Sequence, residues 1–410
     1  MTPIPRESSP VLADLVNQAV ELARARSAED ETTYDFIAPP DWTTGIADVA
    51  RRGEHLSAVE AAIDEEVYRL YGIDEADRLA IERELADGSM GEEREELEPE
   101  DRGDDTEAEE GAWIENAAEP AAPFRVSPLL TREDLARRWI GYAVGIILGR
   151  FEPGVENGLG RGRFSPETAA ALRNLADPDG ILVMDEGHPD DLPTRVLEAL
   201  KKMVGEAEAA DLIRSASERE GAPEELLRQY LDRAFFKLHV QQYRKRPVYW
   251  HLQSPRKRYG LWVFQERLTP DTLFSIQTRY VEPKVRHLEA QIGDLRSRRD
   301  GSQGRERRQI EKTMAALSDI LEDVREFQKT LQGIIQKRGY RPHIDDGVLL
   351  KMAPLWELIP SWQAEPKKAW QALERGEYDW SHQAMNHWPD RVKEKCKTNK
   401  SYAIAHGLEC

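Results

Sequence analysis

Between Glu82 and Glu119 the sequence is strongly acidic and nearly free of aromatic residues, with Glu92-Glu93-Arg94-Glu95-Glu96 and Asp104-Asp105 at its centre. Such a segment cannot bury enough apolar surface to offset the entropy lost on ordering. The chain is therefore predicted to divide there, with residues 86–122 as an acidic disordered linker. A helical segment is expected at 1–85 and a helical domain at 123–236. Beyond them come a basic β-hairpin region at 237–281, an antiparallel helical hairpin at 282–338 and a Trp-rich helical tail at 339–410. The expected fold class is mainly α with a small β component (α+β).

Apolar residues step by three and four along 11–26 and 56–84, as on amphipathic helices, and Gly72 marks a helix stop. Thr131 is placed to cap a helix from about Arg132 to Leu148, a Gly-rich loop follows at 154–162, and helical patterns resume at 190–204 and 222–239. Pro247-Val-Tyr-Trp-His-Leu252 and Tyr259-Gly-Leu-Trp-Val-Phe264 flank a polar turn and predict a β-hairpin. Val285, Leu288, Ile292 and Leu295, then Ile310, Met314, Leu317, Leu321 and Val324, predict two coiled-coil-like helices around a break at 300–304.

The formal charge of −19 conceals a polarised chain. Residues 1–236 hold 25 cationic and 54 anionic side chains, whereas residues 237–410 hold 32 and 22. Any contact with phosphate is expected from the C-terminal half. Two cysteines, Cys396 and Cys410, are too few for a disulfide framework, no apolar run reaches membrane-spanning length, and no secretory leader is visible. A cytoplasmic protein without membrane contact is expected.

From Arg233 through Gln265 there is no acidic residue, while eight cations interleave with Tyr243, Tyr249, Trp250, Tyr259 and Trp262. Cations neutralise phosphates, and arginines and rings reach bases. The expected DNA-binding set is Arg244, Lys245, Arg246, Tyr249, Arg256, Lys257, Arg258 and Tyr259. The competing expectation is a solvated turn beside a buried strand. Six arginines between Arg296 and Arg308 crowd the break of the helical hairpin, where contact with DNA backbone competes with the commoner outcome, a charged solvated loop.

Arg244-Lys-Arg-Pro-Val-Tyr-Trp250 and the hairpin after it resemble the C-terminal region of the BREX phage-exclusion adenine-specific DNA methyltransferases. Thr33-Tyr-Asp-Phe36, Ile63 to Gly72, Gly141-Tyr-Ala-Val-Gly145 and Asp345-Asp-Gly-Val348 resemble further segments of that region in the same order. The resemblance implies that a methyltransferase domain using S-adenosylmethionine precedes this region and methylates the exocyclic nitrogen of adenine. It implies double-stranded DNA as partner, together with a separately encoded methyltransferase domain or other defence proteins. No catalytic or cofactor residue is expected here. The only Pro-Pro, Pro39-Pro40, lacks the amide and ring that hold a flipped adenine, and Gly158-Leu-Gly-Arg-Gly162 follows a helix rather than a strand. A truncated or split gene product is expected, acting as a recognition module, as one half of a split enzyme, or as a protein-interaction module.

His382, His387, Cys396, His406 and Cys410 match no standard zinc spacing, so no metal is expected. A nuclease built on Asp346 and Glu365-Pro-Lys367 is disfavoured, because Pro366 would break the strand such a site needs.

Overall fold

The computed structural model describes residues 9–91, 130–157, 159–217 and 219–408. They are mainly helical with one small antiparallel sheet. Of the expected acidic linker, residues 92–122 lie outside the described residues. Two compact units form, one within residues 1–135 with 157–159, the other within 136–156 and 160–410.

The first unit contains α1 (Pro10–Ser27), α2 (Gly45–Tyr71) and α3 (Glu75–Gly91). The Ser9 hydroxyl caps α1 by accepting the Leu12 N–H, and Gly72 ends α2 in the left-handed region at φ 65°. The sequence marked that stop, because only glycine adopts this conformation without a Cβ penalty. Phe36, Trp42 and Val59 are buried, and the Arg132 guanidinium stacks 3.3 Å from the Trp42 ring centroid.

The second unit takes α4 (Arg132–Ile147) from Ala136 onward, then α5 (Pro166–Arg173), β1 (Ile181–Val183), α6 (Leu192–Val204), α7 (Glu206–Ser217), α8 (Pro223–Arg233) and α9 (Phe235–Gln242). Strands β2 (Tyr249–Gln253) and β3 (Gly260–Phe264) follow, then α10 (Thr272–Ile276). The arm is α11 (Glu282–Gly301) and α12 (Gly304–Gly333), with a π-helical turn before α11 and another after α12. At 1.5 Å per residue α12 is about 45 Å long. Leu288, Ile292, Ile310, Leu321, Val324, Phe327 and Leu331 are buried along the arm. The tail holds α13 (Gly347–Met352), α14 (Ala364–Arg375), α15 (His382–His387), α16 (Pro389–Thr398) and α17 (Lys400–Ala405), packed on Leu350, Trp370, Leu373 and Val392 with Trp356 and Trp388 against them.

The sheet has the order β1-β3-β2, every pair antiparallel, with Trp250 opposite Val263 and His251 opposite Trp262. The three residues of β1 give too short a pattern to be seen in sequence, and they turn the predicted hairpin into a sheet with a central strand. All ten residues of β2 and β3 are buried. The sheet has a core on both faces, because rings of α9 and the tail, Phe235, Phe236 and Trp362, pack on Trp250 and Trp262. No helix of the described residues is long and apolar enough to cross a membrane.

Candidate nucleic-acid interface

The basic segment enters the sheet through His239. Its Nε2 accepts the backbone N–H groups of both Val248 (3.0 Å) and Tyr249 (3.1 Å), which fixes the start of β2. The ring lies between Tyr243 and Tyr249, with centroids 4.6 and 4.7 Å away. Burial, reinforced by the Arg150 charge, pushes its pKa down to about 3, so it stays a neutral acceptor.

Ahead of β2 the chain makes a tight turn in which Arg244 and Lys245 both occupy the left-handed region, at φ 48° and 63°. Two consecutive non-glycine residues there cost roughly 1–2 kcal/mol each. The turn is held by Lys245 N–H to Val240 O at 2.8 Å and Arg246 N–H to Tyr243 O at 2.9 Å. Arg244 and Arg246 are exposed, whereas Lys245 pairs with Glu365 of α14 at 3.4 Å. The Arg150 guanidinium sits 5.0 Å from the Tyr243 ring beside them.

At the other end of β2 the turn Pro255–Arg258 is exposed but electrically compensated. Arg256 pairs with Glu322 at 2.9 Å and Arg258 with Asp319 at 3.4 Å, both on α12. Beneath them the buried Asp323 accepts the Arg256 N–H (2.8 Å), the Arg258 N–H (3.2 Å) and the Ser254 hydroxyl (2.5 Å). One carboxylate thus ties the turn to the arm. Lys257, at φ 57°, is exposed.

These positions correct the expected binding set in two respects. Tyr249 is fully buried and Tyr259 is 4% exposed, so neither ring is offered to a ligand; Tyr259 packs against Phe327 of α12 instead. The six cations do not form one patch either. Arg244, Lys245 and Arg246 precede β2 while Arg256, Lys257 and Arg258 follow it, and at about 3.3 Å per residue the two groups stand roughly 20 Å apart. At the arm tip Arg296, Arg298, Arg305 and Arg308 are exposed, while Arg299 pairs with Asp300 and Arg307 with Glu311.

Two other sequence features resolve into structural roles. Gly162 packs against Gly154, where a Cβ would meet backbone at 2.3 Å, and the loop follows α4 rather than a strand. Glu365 and Pro366 lie in α14, and Asp346 accepts the His382 and Gln383 N–H groups, which leaves no strand-borne nuclease motif at these residues.

No family model matches the sequence. Over 261 residues the chain is 27% identical to the adenine-specific methyltransferase BrxX of Escherichia coli O9:H4 (strain HS). It is similar to adenine-specific methyltransferases. That match covers 59% of this chain and 22% of the relative, and a second, to the adenine-specific methyltransferase PglX of Lacticaseibacillus casei (strain Zhang), is 23% identical over 53% of this chain and 19% of that protein. The chain thus matches about a fifth of the length of these methyltransferases.

Proposed function

We propose that this chain is the DNA-recognition and spacer portion of a BREX-type adenine-specific DNA methyltransferase system, binding duplex DNA without transferring a methyl group itself. The observation that carries the proposal is the similarity to two adenine-specific methyltransferases over more than half of the chain. The electrostatics support it. The half of the sequence with excess cations exposes Arg244 and Arg246 on a strained turn, and the arm presents further arginines at its tip. Backbone strain retained beside exposed cations is a mark of a binding site, since glycine would be the cheaper residue there. In this reading the chemistry on adenine belongs to a separate cofactor-binding domain, and methylation depends on its joining this one.

This assignment separates the two ends of β2. Arg256 and Arg258 already have carboxylate partners, so phosphate must compete for them, whereas Arg244 and Arg246 are the principal phosphate contacts. Three variants read this out by fluorescence anisotropy with labelled duplex DNA and by urea unfolding. Arg244→Gly relieves the left-handed backbone and raises stability by roughly 0.5–1 kcal/mol. Combined with Arg246→Gln it lowers DNA affinity about tenfold near 100 mM salt, more than Arg256→Gln with Arg258→Gln does. Equal loss from both pairs would remove the distinction, and undiminished binding in all four substitutions would remove the proposed face.

A further inference from the structure

The tail brings together three potential metal ligands that the sequence keeps apart. His343 and Asp345 stand just before α13 and His382 opens α15, with α13 and α14 between them in the chain. One nitrogen from each histidine and one Asp345 oxygen all lie within 4.8 Å of one another. The imidazoles face each other with centroids 3.5 Å apart and planes 12° from parallel.

The support behind them is equally specific. Asp346 is buried, and its Oδ1 lies 3.2 Å from His382 Nδ1 while also accepting the His382 N–H at 2.6 Å. Its Oδ2 accepts the Gln383 N–H at 2.9 Å. A carboxylate on Nδ1 holds the proton there and leaves Nε2 as the electron-pair donor, the arrangement that orients metal-binding histidines. The Gln383 amide donates to Arg341 O at 2.9 Å, so segment 341–346, which ends in a 3-10 turn, and the start of α15 are already laced together. His343 Nδ1 is 3.6 Å from the Asp345 carboxylate.

We infer that His343, Asp345 and His382 bind a divalent transition-metal cation of the zinc type, clipping segment 341–346 to α15. Two imidazole nitrogens and one carboxylate oxygen suit a borderline cation with water as fourth ligand, and they disfavour Ca²⁺ and Mg²⁺, which select all-oxygen shells. Bond lengths near 2.0–2.2 Å require ligand atoms about 3.3 Å apart in a tetrahedron. The pocket must therefore contract. The near-parallel ring planes leave no point along both nitrogen lone pairs, so the His343 ring, 42% exposed, must turn while the Asp345 side chain, 73% exposed, swings inward.

The test uses the full chain, stripped with a chelator and titrated calorimetrically with ZnCl₂, and in parallel with MgCl₂ and CaCl₂. About one Zn²⁺ should bind per chain, with micromolar or tighter affinity and with no comparable heat from the other two. Asp345→Asn, a change at an exposed side chain that leaves the folding contacts of Asp346 in place, should weaken zinc at least about tenfold. His343→Ala with His382→Ala should abolish it, while His287→Ala on the exposed surface of α11 should not alter it. Saturating zinc should raise the melting temperature of the wild type and not of the double variant. Failure of the wild-type chain to bind zinc, unchanged binding in Asp345→Asn, or equal binding of Mg²⁺ would overturn the inference.

Discussion

Taking the protein from pH 7 to pH 5 should remove about 4 kcal/mol of stability through two buried histidines. His239 and His251 both have pKa values pushed down to about 3 by burial, from an ordinary value of 6.5. In the fold they remain neutral. In the unfolded chain they take up a proton as the pH falls below 6.5, so the unfolded state binds more protons throughout the window between about 3 and 6.5. Stability therefore falls as pH drops through that window, by about 1.4 kcal/mol per unit for each ring, or close to 2 kcal/mol each between pH 7 and 5. His251 isolates the effect. It is stacked on Trp262 at 4.4 Å, and neither of its ring nitrogens has a hydrogen-bond partner among the described residues. Asp177, pushed up to about 6 mainly by its burial, gains a proton in the fold over part of the same range and offsets some of the loss. The informative quantity is thus the difference between wild type and His251→Leu in urea unfolding at the two pH values. The variant should lose about 2 kcal/mol less on acidification; identical losses would show that His251 is hydrated or already protonated in the fold.

Replacing Asp323 by alanine should destabilise the second unit by about 3 kcal/mol. The carboxylate has no exposed surface and receives two backbone N–H groups and one hydroxyl from the β2–β3 turn. Hydrogen bonds to a charged acceptor contribute about 1.5–3 kcal/mol each, partly offset here by the relief of a desolvated charge and by water reaching the exposed turn. The Ser254 hydroxyl still accepts the Arg258 and Tyr259 N–H groups, so the turn should loosen rather than dissolve. Docking of α12 would then rest on apolar contacts such as Phe327 with Tyr259. Thermal or urea unfolding gives the loss, and amide exchange at Arg256 and Arg258 should accelerate in the same variant. A change under about 1 kcal/mol would mean that the carboxylate is not what joins turn and arm.

What could be read from sequence follows from how local each signal is. The arm was legible because Leu288, Ile292, Ile310, Leu321 and Val324 keep helical spacing over several turns, and Gly72 marked the end of α2 because a left-handed cap leaves a local trace. Strands β2 and β3 were legible as apolar runs around Ser254-Pro255. Their burial on both faces was not, since it depends on Phe236 and Trp362 arriving from elements on either side in the chain. The same limit governs the site. Cation density pointed to 244–258, but the partners that set each charge apart, Glu365, Glu322 and Asp319, are supplied by α14 and α12. Likewise His382 stacks on His343, with the His406 ring edge-on 6.0 Å away, and no spacing rule links His343 to the tail histidines.

The central claim, that this chain holds duplex DNA through exposed cations, is tested most directly by the salt dependence of its affinity. Each neutralised phosphate contributes a slope of about −0.9 to log affinity against log salt. Contacts from Arg244, Arg246 and the arm tip predict a slope of about −3 or steeper between 50 and 200 mM salt. A slope near zero, or no change in duplex mobility at the lowest salt, would contradict it.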